Sequence, residues 1–224
     1  MKRSEINAII MQAGAFFREK GFLLPPWAFW APSDWKGKRE TCGEIVANML
    51  GWDITDFGLG RFEECGLVLF TLRNGNPAGD KKPYAEKIMI VRENQETPFH
   101  FHWQKMEDII NRGGGNLVLE LYGSTPDEAF DRQAIRVRVD GVVRDVPAGG
   151  AVILRPGESI CLPPRLYHRF YGEPARGPVM VGEVSQVNND SADNRFRPEV
   201  GRFPAIQEDE TPVRLLASDY GAYL

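Results

Sequence analysis

The sequence predicts a mainly β protein, one antiparallel β-barrel preceded by a helical N-terminal arm. From about Gly66 onward, short runs rich in Val, Ile, Leu and Tyr recur every 8–15 residues or so, each closed by Gly, Pro, Asn or Asp. Before that point the apolar spacing is helical. No repeat of roughly 20–50 residues and no low-complexity tract interrupts the chain. With 224 residues, 42% of them hydrophobic, there is material for one substantial core. The expected division is a helical arm over 1–60 packed on a barrel over 61–224, the two forming one structural unit.

Ser4 is placed to cap a helix whose apolar positions Ile6, Ile9, Ile10, Ala13, Phe16 and Phe17 follow a period near 3.6, with Gly21 at its end. "LLPPWAFWAPSDW" cannot continue it, because Pro25, Pro26 and Pro32 remove donors and restrict their neighbours. Trp27, Trp30 and Trp35 imply that this arm packs on something. A second helix is expected from Lys38 to Leu50, ended by Gly51. The strands follow in "GLVLFTLRNG", "YAEKIMIVRE", "NLVLELYG", "AIRVRVDGVVRDV", "GAVILRPG", "SICLPP", "LYHRFYG" and "PVMVGEVSQV". Asp140-Gly141 is the strongest hairpin signal. "NNDSADNRFRPEVGRFP" reads as a long ordered loop that keeps Phe196 and Phe203.

The formal charge of −4 argues against a nucleic-acid partner. No apolar run approaches the roughly 20 residues that span a bilayer, and "MKRSEINAII" lacks a secretory cleavage pattern, so no membrane partner is expected. Three cysteines, Cys42, Cys65 and Cys161, make no C-x-x-C pair, which suits a reduced, cytoplasmic compartment.

The chemistry concentrates in "ETPFHFHWQKMEDIINRGGGN", which holds two of the three histidines. On a strand, residues i and i+2 share a face, so His100 and His102 point one way and Phe99, Phe101 and Trp103 the other. Two imidazoles on one face can grip one metal ion. Glu107 can return after a short turn as an oxygen ligand, with Asp108 the substitute, and Gly113, Gly114 and Gly115 permit the tight turn that follows. His168 lies in another alternating run, sharing a face with Leu166 and Phe170. A single histidine is more often a packing residue than a ligand. Here every histidine of the chain enters the set, which leaves up to two octahedral positions for substrate oxygens.

"HFHWQKMEDIINRGG" resembles the first metal motif of the cupin superfamily, and "PGESICLPPRLYH" resembles the second. Together with "YAEKIMIVRE" and "GEVSQVNNDSADNRF", the chain closely resembles the D-lyxose isomerase family of cupins over nearly its whole length. The resemblance implies a jelly-roll barrel and a homodimer. It implies interconversion of D-lyxose with D-xylulose, and usually of D-mannose with D-fructose. One divalent ion is implied, Mn2+ favoured, although imidazole and carboxylate ligands also suit Fe2+, Co2+ and Zn2+. The family's ligands fall on His100, His102, Glu107 and His168. One departure is that Pro164-Arg165 stand where the second cupin motif usually has glycine.

Aldose–ketose isomerisation needs a proton moved between C1 and C2 and others managed on oxygen. Lys87 alternates with Ala85, Met89 and Val91, and Glu183 with Val179 and Val181, so both should point into the barrel. Burial is expected to depress the Lys87 pKa and raise that of Glu183. Glu183 is the expected carbon base and Lys87 the oxygen-side acid, the alternative being a buried structural ion pair. For the sugar substrate, the candidate binding residues are Trp103, Glu120, Asp190, Asp193 and Arg195, with a solvated loop the competing reading for the last three. Trp27 and Trp30 could stack on sugar but fit core packing better. Rival functions are an Fe(II) dioxygenase, a sugar-phosphate isomerase, or a non-catalytic sugar-binding cupin.

Overall fold

The structure, a computed structural model, describes residues 1–76, 79, 81–190 and 192–224. Helix α1 (Arg3–Glu19) buries Ile6, Ile9, Ile10, Ala13 and Phe17 on the outside of a large sheet, and Gly21 leaves it at φ +76°. Lys2, not Ser4, occupies the capping position, its backbone N–H donating to Glu5 Oε2 at 2.7 Å. Ser4 instead ties the first turn to the C-terminal segment, donating from Oγ to Asp209 at 2.7 Å. The tryptophan arm forms two 3-10 turns, Pro26–Phe29 and Pro32–Trp35, each opened by a proline whose missing N–H has no bond to lose there. Trp35 is buried against Trp27, Trp30 and Tyr220.

The expected second helix shrinks to α2 (Gly43–Ala47). Met49 at φ +53° and Gly51 at φ +113° break it. The chain then enters a strand that the helical expectation missed, β1 (Gly51–Thr55), inside the 1–60 segment. Trp52 and Ile54 of β1 face α1, while Asp53 and Thr55 face the barrel cavity. That period of two outweighs the helical propensity of the residues before it.

The remaining strands are β2 (Leu67–Arg73), β3 (Tyr84–Val91), β4 (Thr97–Phe101), β5 (Glu107–Gly114), β6 (Leu117–Tyr122) and β7 (Ile135–Val139). They continue with β8 (Val142–Val146), β9 (Ala151–Leu154), β10 (Ser159–Leu162), β11 (Tyr167–Gly172), β12 (Val179–Gln186) and β13 (Arg195–Phe196). One sheet runs β1-β2-β3-β12-β5-β10-β7-β8 and the other β13-β4-β11-β6-β9. Asp140 and Gly141, both at positive φ, join β7 to β8 as the sequence predicts. Gly113 and Gly114 close β5 at φ +145° and +94°, and a Cβ at Gly114 would collide with the carbonyl of Pro178.

Two cores result. Leu67, Leu69, Met89, Val91, Ile109 and Leu119 belong to the barrel interior, and the second core lies between α1 and the outer face. The C-terminal segment locks the arm down through Arg3, 2% exposed, whose guanidinium donates to Glu208 at 2.7 Å and Asp219 at 2.9 Å. Among the described residues no helix is long and apolar enough to cross a membrane.

Candidate metal centre

His100 on β4 stands directly opposite His168 on β11, and the ring centroids are 4.1 Å apart. His102 follows just after β4, and Glu107 opens β5 in the facing sheet. All four side chains are buried, and their ligand atoms lie within 4.8 Å of one another. Asp108, the possible substitute, is exposed on the other face of β5, as alternation requires.

The backbone sets the ring orientations. Nδ1 lies 2.8 Å from the Pro98 carbonyl in His100, 2.7 Å from that of Asp193 in His102, and 3.0 Å from that of Leu166 in His168. A carbonyl only accepts, so each Nδ1 carries a proton, which leaves Nε2 as the nitrogen of each ring available to a metal. The Nε2 atoms of His102 and His168 are buried with no hydrogen-bond partner, 3.4 Å and 3.1 Å from the Glu107 carboxylate. Burial, then the neighbouring His168 and His102, holds His100 well below the ordinary imidazole pKa. Burial would raise the pKa of Glu107, but Lys105 and His102 outweigh it and hold it well below the usual range. Three imidazoles and one carboxylate converge within 4.8 Å, and two of the Nε2 atoms are buried without a hydrogen-bond partner. The donor set therefore fits a divalent metal ion.

Lys87 and Glu183 face each other across β3 and β12, both buried, with Nζ and Oε1 3.4 Å apart. The expectation that burial raises the Glu183 pKa is overturned. Burial does push it up, but the Lys105 and Lys87 ammonium groups pull harder, and the net shift is downward. Lys105 is the residue that sequence reasoning missed. Its Nζ donates to Glu107 Oε2 at 2.7 Å and to Glu183 Oε1 at 2.9 Å, so it joins the metal cluster to the acid–base pair. Burial lowers its pKa, but the two carboxylates raise it overall. The available signal was its i, i+2 spacing from Glu107 in an extended segment.

The expected binding residues separate. Asp190 lines the cavity and pairs with Arg202 at 3.2 Å, which with burial opposing holds its carboxyl below the usual range. Asp193 does not face the cavity opening. Its carboxylate accepts the backbone N–H groups of Gln104 and Lys105 at 2.9 Å and 3.0 Å, and its carbonyl orients His102. Arg195 forms an ion pair with Glu128 at 2.9 Å on the opposite face of β13 from the cavity-lining Phe196. Trp103 donates to the same Glu128 at 2.8 Å and packs on Phe101, away from the cavity. Glu120 pairs with Arg169 at 2.8 Å on the outer face of β6, because Leu119 and Leu121 take the inner one. Arg202, also missed, donates to Asp53 at 2.5 Å and aims a buried, unpartnered Nη1 at the cavity.

Two antiparallel sheets enclosing a buried three-histidine, one-glutamate cluster define a cupin-type barrel with a candidate metal centre. The family model for D-lyxose isomerase matches residues 1–220, and the chain belongs to that family. It is 48% identical over 223 residues to the D-lyxose/D-mannose isomerase of Serratia proteamaculans, covering 98% of each chain. The D-lyxose/D-mannose isomerase of Escherichia coli O157:H7 matches at the same identity and coverage, 48% and 98%. A D-lyxose ketol-isomerase of Cohnella laeviribosi is 29% identical over 172 residues, 70% of this chain and 82% of that one. The fold is shared with the L-ribose isomerase of Geodermatophilus obscurus, at a TM-score of 0.63 and 18% identity over 92% of this chain and 98% of that one.

Proposed function

We propose that the protein interconverts D-lyxose and D-xylulose, and D-mannose and D-fructose, as a metal-dependent aldose–ketose isomerase. The observation that carries this reading is the Lys105 bridge, which sets an ionised carboxylate, Glu183, beside the three-histidine cluster. A binding protein needs no such acid–base group next to its metal. His100, His102, Glu107 and His168 would hold the ion, and Mn2+ is our assignment. When bound, the ion supplies Lewis-acid stabilisation of the charge on the two exchanging oxygens.

Glu183 takes the proton from C2 and returns it to C1 of the enediol, in which C1 and C2 are doubly bonded. The O2 proton passes to O1 as the carbonyl moves, with the Lys105 ammonium hydrogen-bonding the oxygens. Lys87, bonded to Asn188 Oδ1 at 2.8 Å and 3.4 Å from the same Glu183 oxygen, helps to hold Glu183 ionised and shares the oxygen-side role. Arg202 Nη1 offers a donor to a hydroxyl of the substrate.

We further assign the protein to the cytoplasm, in keeping with its free Cys42, Cys65 and Cys161, and to a homodimer. The half-buried aromatic stack of Phe99, Tyr122 and Phe130 outside the smaller sheet suits a second copy. The deciding experiment incubates Mn2+-loaded protein with D-lyxose and D-mannose and follows ketose formation. No ketose from either sugar would sink the isomerase reading.

A further inference from the structure

The cavity at the metal cluster is small, about 50 Å³. That is room for a few water molecules, each needing about 10–15 Å³ by the same kind of measure, and far too little for the roughly ten heavy atoms of a pentose. A second chamber of about 350 Å³ opens at the barrel mouth and shares Asn188 and Asp190 with the first. Asn188 is the threshold between them. Its Oδ1 accepts from Lys87 and Lys105 at 2.8 Å and 3.3 Å, and its backbone N–H donates to Asn74 Oδ1 at 2.9 Å.

The chamber has the chemistry of a polyol site. Amide, hydroxyl and carboxylate groups of Asn74, Asn76, Thr71 and Asp53 give it a polar lining, in which Asn74 and Asn76 also donate to the Asn188 and Ala47 carbonyls and Asp53 accepts from Arg202. Met49 and Phe203, both about half exposed, add apolar surface for C–H groups. Among the described residues that line it, none is a lysine or arginine, while two are aspartates. Both aspartates are paired with Arg202, at 2.5 Å and 3.2 Å, so a phosphate at the far end of the substrate would find no cation of its own among the described residues that line the chamber.

We propose that this outer chamber receives the far end, C3 onward, of an unphosphorylated open-chain sugar, and that its depth decides which chain length is accepted. The proposal rests on the isomerase reading, with C1 and C2 in the inner cavity. D-lyxose and D-mannose share their configuration at C2, C3 and C4 and differ by one carbon at the end remote from the reaction. A site that accepts both must keep spare room there.

The test fills the chamber from two elements, with Ser218→Trp on the 3-10 turn Ala217–Asp219 and Ala47→Leu at the end of α2. Ser218→Leu serves as a milder variant, and circular dichroism checks that each folds. Two readouts are taken on Mn2+-loaded protein: kcat/KM for D-mannose and D-lyxose, and calorimetric affinity for D-mannitol, which cannot isomerise. The expected result is a loss of kcat/KM at least tenfold greater for D-mannose than for D-lyxose. D-mannitol affinity should weaken in parallel, and wild-type protein should leave D-mannose 6-phosphate unconverted. The proposal is overturned if the folded variants keep the wild-type sugar ratio and mannitol affinity, if wild-type protein binds no mannitol, or if the 6-phosphate turns over as D-mannose does. Should the wild type convert neither sugar, the isomerase reading falls and mannitol decides the chamber alone. Weaker mannitol binding in the variants then supports the chamber as a polyol site, and unchanged binding overturns it.

Discussion

The ammonium of Lys105 lies 2.9 Å from Glu183, and both side chains are buried in the barrel. Because the same nitrogen also bonds Glu107, one cation bridges two buried carboxylates on the neighbouring strands β5 and β12. Removing one partner of such a group leaves charge stranded in a poor solvent, at a cost of about 3–5 kcal/mol. Lys105→Met should therefore lower stability in urea by an amount of that order, and kcat by at least about a hundredfold. Denaturation and steady-state rates check the pair of outcomes; a variant with wild-type stability would show that Lys105 is not the compensating charge.

Glu183→Gln keeps the shape of the side chain and removes the base. It should retain the metal yet lose exchange of solvent deuterium into the sugar, with a fall in kcat of about 10²–10⁴. Lys87→Ala should also retain the metal and lose the exchange. If both variants still incorporate deuterium, the pair is structural.

Chelation should lower the melting temperature, because an ion bound only by the folded state stabilises it by mass action. The double variant His100→Ala, His102→Ala should hold no Mn, Fe or Zn after purification, by elemental analysis, and should melt at the same temperature with and without chelator. Persistent metal in that variant would move the site elsewhere.

Asp190 provides a pH signature carried by a carboxylate and not by the histidines. Burial opposes its ionisation, but Arg202 and Lys87 hold the folded-state pKa below the unfolded value of about 3.9. The stabilisation is therefore complete above that value and declines as pH falls through the window below it. Asp190→Asn should cost stability at pH 7 and progressively less in acid, so the gap between the urea midpoints of the two proteins should narrow as pH falls below about 3.9. A gap that widens in acid would mean that the Arg202 pairing is not its cause.

Strand order was hidden where local signals mislead. "ETCGEIVANMLGWDIT" begins with helix-compatible residues, and nothing local announces that Gly51 starts a strand. Only the pairing of β1 with β2, Gly51 opposite Thr71, decides it. The histidines were legible because a metal demands donors on one face, and alternation supplies that in one dimension. Glu120 and Arg195 alternate equally well, but alternation does not say which face is inside. That depends on the second sheet.

By itself, the sequence determined the barrel class, the hairpin at Asp140-Gly141 from its turn residues, the four candidate metal ligands, and, through period-two spacing within single strands, the inward direction of Lys87 and Glu183. Only the tertiary structure decided that Lys105 and Arg202 enter the site, that Asp193 orients His102, and that Glu183 is held ionised. The physical reason is electrostatic. The pKa of a buried carboxylate is set by which charges other strands bring within a few ångströms, and that distance exists only in the folded chain.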